Sequence, residues 1–258
     1  MHIARKRFGQ NFLVDERIIG DIIHLIHPQE NDTMIEIGPG LGALTRPLVA
    51  YLRKLHVVEI DRDIIRRLEN DYPKNKLVIH AGDALKFDLA EIPGPLRIVG
   101  NLPYNISSPL LFHFSAYADR IIDMHFMLQD EVVERMVAEP STPAYGRLSV
   151  MLQYRFYMEK LLDVPPESFR PSPKVDSAIV RMLPLPVKEV KVCDEKLFAA
   201  IVATAFGQRR KTLRNTLKSY LTEEDLKKLD IDSQLRAENL GVDEFSRIAD
   251  FVRARGKV

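Results

Sequence analysis

The chain has 258 residues, with 37 basic and 36 acidic side chains and a formal net charge of +1. Its hydrophobic fraction of 46% is sufficient for a full core, and no apolar run approaches the roughly 20 residues that cross a bilayer. A lone cysteine, Cys193, excludes an internal disulfide and is typical of a reducing compartment. Met1 to Gln10 lack the apolar core of a signal peptide, so we expect a cytoplasmic protein without a membrane anchor.

Basic side chains are concentrated in two places. Residues 1–12 contain Arg5, Lys6 and Arg7 and no acid. Residues 207–220 also contain no acid, and their basic side chains are Arg209, Arg210, Lys211, Arg214 and Lys218. Such patches on a nearly neutral chain indicate contact with a polyanion at defined places. On charge alone, two solvated surface faces are the favoured alternative.

The first periodic segment is a helix that follows Asp15. Five isoleucines at helical spacing predict one apolar face that packs into a core: Ile18, Ile19, Ile22, Ile23 and Ile26. Asp15 stands where a helix N-cap belongs.

A glycine-rich loop follows the first predicted strand, 33–37. The loop is Gly38-Pro39-Gly40-Leu41-Gly42, and a helical stretch, 43–51, comes after it. A strand, a glycine loop and a helix in this order are the context of a nucleotide-binding loop. The spacing G-x-G-x-G differs from the G-x-G-x-x-G of dinucleotide folds, and the absence of Gly-Lys-Ser or Gly-Lys-Thr excludes a P-loop.

Acidic residues lie at the ends of the next two predicted strands. Glu59 ends strand 56–60, where a carboxylate can accept hydrogen bonds from both ribose hydroxyls of a nucleoside. Asp83 follows strand 76–80 and is a candidate partner of the adenine amine of the same nucleoside. For Glu59, the alternative is an exposed acid at a strand end.

The fourth predicted strand, 96–100, is followed by Asn101-Leu102-Pro103-Tyr104. The Asn101 oxygen and the Leu102 carbonyl can accept the two hydrogens of an aromatic amine, and Pro103 fixes the turn. Tyr104 offers a flat face on which a base can stack. A helix is predicted next, with Ser108 as N-cap and Pro109 in its first position. The alternative is a proline turn with a packed tyrosine.

The alternation of strands and helices predicts a mostly parallel, doubly wound, Rossmann-like α/β sheet. Strand 121–128 and helix 130–138 continue the pattern. Residues 148–157 and 175–183 are rich in β-formers and predict an antiparallel pair at the sheet edge. Between them the proline-rich segment 165–173 is expected at the surface, with Phe169 pointing outward.

The segment Pro184-Leu185-Pro186 predicts a domain boundary. We therefore expect an α/β domain at 1–185 and a small all-α domain at 186–258, without strands after about Cys193. Within it, Leu213, Leu217 and Leu221 share one helical face.

Four of these motifs together resemble one family, the S-adenosylmethionine-dependent rRNA adenine dimethyltransferases, with the bacterial small-subunit enzymes as the nearest type. The matching stretches are residues 8–13, 36–42, 101–104 and 169–177, in family order along nearly the whole chain. The resemblance implies a Rossmann-like methyltransferase domain and a helical domain that binds RNA or the ribosome. It implies dimethylation of two adjacent adenines in a hairpin near the 3′ end of small-subunit rRNA, within the subunit or its precursor. A monomer without metal is expected.

The resemblance also assigns roles to residues. Contacts to S-adenosylmethionine are implied for Asn11, Leu13, Gly38, Gly40, Glu59, Ile60, Asp83, Ala84 and Asn101. The target adenine is implied to contact Asn101, Leu102, Pro103 and Tyr104 on one side and Phe169 on its other face. RNA contacts are implied for Arg5, Lys6, Arg7, Phe8, Arg209, Arg210, Lys211 and Arg214.

Three other functions remain open at this point. A large-subunit rRNA adenine methyltransferase of the antibiotic-resistance type shares every motif up to Phe169, and residues 186–258 would discriminate the two. A ribosome-assembly or transcription factor would keep the fold and bind RNA without catalysis. A DNA adenine methyltransferase usually has an Asp-Pro-Pro-Tyr type of motif, in which Leu102 would be proline.

Overall fold

The computed structural model describes residues 10–208 and 210–256 of the chain. Its strands are β1 Phe12–Leu13, β2 Met34–Ile37, β3 Leu55–Glu59, β4 Leu77–Ala81, β5 Leu96–Asn101, β6 Ile121–Gln129, β7 Phe156–Val164, β8 Phe169–Arg170 and β9 Ser177–Pro184. Its helices are α1 Glu16–Ile26, α2 Thr45–Tyr51, α3 Arg62–Asp71, α4 Ser107–Ser115, α5 Asp130–Val137, α6 Arg147–Gln153, α7 Glu195–Phe206, α8 Leu213–Thr216, α9 Glu223–Lys228 and α10 Val242–Ala254.

The central sheet has seven strands in the order β4-β3-β2-β5-β6-β9-β7. The pairs from β4 through β6 are parallel, and β9 runs antiparallel to β6. The mostly parallel sheet with an antiparallel edge that the sequence predicts is thus confirmed. Strand order reverses between β2 and β5, so the loops after these two strands flank a topological switch point, where open α/β sheets bind ligands.

Helix α1 joins the sheet through its isoleucine face. Ile19, Ile22, Ile23 and Ile26 are buried in the core that covers the sheet. The Asp15 carboxylate accepts hydrogen bonds from the first backbone N–H groups of the helix and caps it as predicted.

A buried ion-pair network ties strand β5 to the end of α1. The Arg97 guanidinium lies 2.8 Å from Asp123 on β6 and 2.6 Å from Asp32, and it donates to the Ile26 carbonyl. Both carboxylates and the backbone oxygen satisfy the guanidinium, so loss of any one partner would leave a buried charge uncompensated. The network fixes the strand whose end carries Asn101.

The β-strand predicted at 148–157 is wrong over residues 148–153. Residues 147–153 form helix α6, and the strand begins only at Phe156 and runs to Val164. Short apolar runs fit either a buried strand or a buried helix, and here Val150 packs in a helical core with Tyr145 and Tyr154.

The chain divides into two compact units. The first comprises the residues up to Val133 with Met158–Pro184, and the second comprises Glu134–Tyr157 with the residues from Leu185 onward. The first unit ends at Pro184, next to the boundary after residue 185 that the sequence predicts. Residues 134–157 were expected in the first domain and belong instead to the second unit. The described residues after Pro184 contain no strand. Leu213, Leu217 and Leu221 are buried in the second unit's core.

Candidate active site

A cavity of about 270 Å³ opens in the first unit, at the carboxyl ends of the parallel strands. Its walls are the segment 10–13, the glycine loop after β2, the ends of β3 and β4, and the loop after β5. Every cofactor residue implied by the resemblance lines it: Asn11, Leu13, Gly38, Gly40, Glu59, Ile60, Asp83, Ala84 and Asn101. Leu102, Pro103 and Tyr104 line it as well.

The glycine loop has backbone angles that residues other than glycine rarely adopt. Gly38, Gly40 and Gly42 have φ of 67°, 54° and 89°. A Cβ added at Gly40 would lie 3.1 Å from a ring carbon of Phe12. The loop therefore needs glycine both for its left-handed conformation and for the approach of the N-terminal segment.

Glu59 is held rigidly at the end of β3. Its Oε1 accepts hydrogen bonds from the backbone N–H groups of Ile60 and Asp61, each at 2.8 Å. Burial raises the pKa of the Glu59 carboxyl, while the backbone N–H groups of Asp61, Ile60 and Gly40 oppose that rise. Ile60 is 48% exposed and presents an apolar surface to the cavity.

Glu36 is a cavity residue for which the sequence assigned no role. It is 2% exposed at the end of β2, and its Oε2 accepts a hydrogen bond of 2.6 Å from the Thr45 hydroxyl. Burial raises the pKa of Glu36 to about 7, with the charge of Glu59 adding to the rise. The signal that could have identified it is an acid inside an otherwise apolar strand, two residues before Gly38.

The Asn101 amide is oriented by the segment that enters the site from the N-terminal side. Its Nδ2 donates to the Asn11 carbonyl at 3.0 Å. Asn101 lines the cavity, and its side-chain oxygen remains available as an acceptor when the nitrogen donates to Asn11. The segment itself is anchored because β1 pairs with β8, and the Val14 N–H donates to the Ser168 carbonyl.

The residues after Asn101 form a turn fixed at several points. The Leu102 N–H donates to the Met127 carbonyl at 3.1 Å, and the Leu102 side chain is buried. The Tyr104 hydroxyl is hydrogen bonded to the Ser177 hydroxyl at 2.7 Å, and burial raises the pKa of Tyr104. Helix α4 begins at Ser107 with Ile106 as N-cap, so the predicted cap at Ser108 is wrong by two residues.

The prediction that Phe169 points outward is wrong. Its side chain is fully buried, lies opposite Leu13 in the β1–β8 ladder and belongs to the core of the first unit. The prolines around it do not hold it outward, because pairing with β1 draws this short segment onto the core. In this structure Phe169 therefore offers no face to a base in the cavity, and it is absent from the cavity lining.

The predicted RNA-contacting residues fall into two groups. Arg5, Lys6, Arg7, Phe8 and Arg209 lie outside the residues that the structure describes. Arg210, Lys211 and Arg214 are exposed in the second unit. The Arg214 guanidinium lies 3.2 Å from the Glu223 carboxylate, a surface pair that contributes little to stability.

Within residues 10–208 and 210–256, no group of three or more His, Cys, Asp or Glu side chains is placed to hold a metal ion. In the same part of the chain, no helix has the length and apolarity needed to span a membrane.

An open, mostly parallel sheet with an antiparallel strand beside β6, a glycine loop at the switch point and an Asn-Leu-Pro-Tyr turn facing it define a Rossmann-like methyltransferase. Solved structures share this architecture. A dimethyladenosine transferase from Plasmodium falciparum has a TM-score of 0.81 at 26% identity, covering 95% of this chain and 98% of that one. The 23S rRNA methyltransferase ErmE has a TM-score of 0.72 at 24% identity, covering 94% of this chain and all of its own, and so shares the fold.

The model of the ribosomal RNA adenine dimethylase family matches residues 1–254, and the chain belongs to that family. Two relatives are named ribosomal RNA small subunit methyltransferase A. The one from Chromobacterium violaceum is 62% identical over 256 residues, covering 99% of this chain and 98% of its own. The one from Nitrosospira multiformis is 61% identical over 250 residues, covering 97% of this chain and 96% of its own.

Proposed function

We propose that this enzyme transfers methyl groups from S-adenosylmethionine to the 6-amino groups of two adjacent adenines in the 3′-terminal hairpin loop of small-subunit (16S) rRNA, dimethylating each. It acts in the cytoplasm as a monomer, on the small subunit or its precursor, as part of subunit biogenesis. Relatives about 60% identical over the full length carry the small-subunit name. The single observation that carries the proposed chemistry is the Asn101 amide in the cavity wall, whose nitrogen donates to the Asn11 carbonyl and whose oxygen remains available as an acceptor.

The cavity suits a cationic nucleoside cofactor. Glu36 and Glu59 are two buried carboxylates in its wall, and none of the described residues that line it is Lys or Arg. When bound, S-adenosylmethionine supplies a methyl group that is already electrophilic because it is attached to a sulfonium. Glu59 would accept hydrogen bonds from the ribose hydroxyls, Ile60 and Ala84 would contact the adenine, and Asp83 would accept a hydrogen bond from the adenine amine. The glycine loop, Asn11 and Leu13 would hold the methionine end.

The chain's own residues prepare the nucleophile. An adenine amine is a poor nucleophile because its lone pair is delocalised into the ring. Hydrogen bonds to the Asn101 oxygen and the Leu102 carbonyl pull the amine toward tetrahedral geometry and localise that pair. Tyr104 stacks on the base, a contact worth roughly 1–3 kcal/mol. Alignment of well-oriented reactants accounts for about 7–11 kcal/mol of such barriers.

The target base must leave its stack to enter the cavity, which costs less in a hairpin loop than in a duplex. The basic residues Arg210, Lys211 and Arg214 of the second unit, with Arg209 and the N-terminal Arg5-Lys6-Arg7-Phe8, contact the RNA backbone. Their part is to hold the hairpin while one base is presented. The proton of the methylated nitrogen leaves after transfer, when that nitrogen has become acidic.

The direct test incubates the protein with labelled S-adenosylmethionine and with unmethylated small or large ribosomal subunits, followed by mapping of modified adenines. We expect label on two adjacent adenines near the 3′ end of small-subunit rRNA. Label on large-subunit rRNA instead would identify the antibiotic-resistance type of enzyme. Tight RNA binding without label, in a protein that binds the cofactor, would indicate an assembly factor and overturn the proposal.

A further inference from the structure

The turn that carries Tyr104 is joined by one side-chain hydrogen bond to a strand on the far side of β6. The Tyr104 Oη lies 2.7 Å from the Ser177 Oγ. We propose that Ser177 is a positioning residue, whose hydroxyl fixes the position of the Tyr104 ring on which the target adenine stacks. The proposal rests on the adenine-methylating function given above.

Strand register explains why this contact is well defined. Asn101 at the end of β5 is opposite Met127 on β6, and Ser177 at the start of β9 is opposite Gln129 on the same strand. Two backbone hydrogen bonds continue these ladders beyond the strand ends, from the Leu102 N–H to the Met127 carbonyl and from the Asp130 N–H to the Asp176 carbonyl. The backbones that carry the two hydroxyls are thus held to the same central strand.

Burial gives the hydrogen bond its importance. Ser177 is fully buried, and Tyr104 is partly buried. A buried hydroxyl that loses its partner is costly, so each of these two groups keeps the other in place. A ring tethered at its para position loses the freedom to swing about χ1 away from its place at the cavity. Such preorganisation lowers the ordering cost that a stacked base would otherwise meet.

The same contact gives a role to the segment 169–177. Phe169 at its first end is buried against Leu13 and holds β1, the strand next to Asn11. Ser177 at its last end holds Tyr104. The segment 169–177 therefore supports two residues of the adenine site. It supports Asn101 indirectly, through β1 and the Asn11 carbonyl, and it supports Tyr104 directly, through the hydroxyl of Ser177.

The experiment is a double-mutant cycle of Ser177→Ala and Tyr104→Phe, read as single-turnover methylation of small-subunit RNA at saturating cofactor. We expect each single variant to lower the maximal rate about 3- to 10-fold, as loss of one neutral hydrogen bond implies. The double variant should be no slower than the slower single variant, because both changes remove the same bond. The RNA concentration at half-maximal rate and the cofactor affinity should stay unchanged.

Ser168→Ala is the matched control. Ser168 is also buried, and its Oγ donates to the Asp15 carboxylate at 3.3 Å, away from Tyr104. Its loss should leave the rate at the wild-type value. Should Ser177→Ala fail to fold, Ser177→Cys keeps the side-chain volume with only a weak donor and takes its place in the cycle.

Two results would overturn the role of Ser177 while leaving the enzyme's function intact. One is a wild-type rate for Ser177→Ala or for Tyr104→Phe. The other is a multiplication of the two single effects in the double variant, which would show independent roles. A wild-type protein that methylates no adenine would overturn the proposed function and this proposal with it.

Discussion

Glu59 and Asn101 both line the cavity, and each has one side-chain atom engaged by backbone groups. The Ile60 and Asp61 N–H groups engage Glu59, and the Asn11 carbonyl engages Asn101. Backbone groups hold geometry more firmly than mobile side chains do, so these two polar groups are preorganised before any ligand arrives. The identity of both residues was predictable from strand ends, whereas the partners that orient them were not.

Glu59→Ala should weaken S-adenosylmethionine binding by at least tenfold. The change removes two charge-assisted hydrogen bonds to ribose, each worth roughly 1.5–3 kcal/mol. Titration calorimetry measures it, and RNA binding serves as the control because it should be unaffected. Unchanged cofactor affinity would show that the ribose lies elsewhere.

His125 on β6 should make the protein less stable as the pH falls. The ring is 4% exposed, neither of its nitrogens has a hydrogen-bond partner among the described residues, and burial lowers its pKa from 6.5 to about 4. Between these two values the unfolded chain binds a proton that the folded chain does not, so folding stability declines as the pH falls from 6.5 toward 4. Above pH 6.5 the residue has no such effect.

His125→Leu removes the titrating group and keeps a similar volume. The variant should therefore lose less stability than the wild type between pH 6.5 and pH 4, by roughly 2–3 kcal/mol at the acid end. Urea unfolding at several pH values measures the difference. Parallel stability curves for the two proteins would contradict the assignment.

At the scale of elements, the strands and helices from β2 to β6 were predictable because each has a clear period and a turn signal at its ends. Helix α6 was not predictable, since an apolar run of seven residues is compatible with the period of a strand as well as with that of a helix. The β1–β8 pair was not predictable either, because two-residue strands have no period at all. The same holds for the contact of Tyr104 with Ser177, 73 residues away, which only the register of three strands brings about.

The close approach of β2 and β5 gives a prediction for Gly100. A Cβ added there would lie 2.6 Å from the Ile37 carbonyl oxygen, a backbone atom that cannot move aside. Gly100→Ala should destabilise the protein by about 1–3 kcal/mol through overpacking and should lower methylation by shifting Asn101.

Gly20 provides the matched control for this change. It lies within α1, and a Cβ added there meets nothing within 4 Å. Gly20→Ala should stabilise the protein by about 0.5–1 kcal/mol, because alanine is the better helix former. Thermal unfolding of both variants measures these changes in stability. A Gly100→Ala protein as stable as the wild type would show that β2 and β5 are not packed this closely.

At the scale of the whole molecule, a nearly neutral chain presents exposed basic residues in its second unit and an acidic cavity in its first. The two kinds of surface suit two ligands of opposite charge, a polyanionic RNA and a cationic cofactor. Charge patterning along the sequence indicated the first of these, and the resemblance of the motifs to an rRNA-modifying family was needed to predict it. The acidic cavity emerges only when Glu36 and Glu59, 23 positions apart, end neighbouring strands.

Replacing Arg210, Lys211 and Arg214 together with alanine should weaken RNA binding and flatten its salt dependence. Each lost phosphate contact removes about 0.9 from the log–log slope on a duplex. Lys227 and Lys228, exposed on α9 in the same unit, are the matched control, and their replacement should leave the slope unchanged. An unaltered slope in the triple variant would show that the three residues are solvated surface.

The most direct test of the central claim is single-turnover methylation of unmethylated small subunits at saturating cofactor by wild type, Asn101→Ala and Tyr104→Ala. Asn101→Ala removes the acceptor whose hydrogen bond strengthens as the amine becomes tetrahedral, so its rate should fall at least a hundredfold. Tyr104→Ala removes the stacking face and should lose rate as well, while both variants still bind the RNA. An Asn101→Ala enzyme that methylates at the wild-type rate would contradict the account.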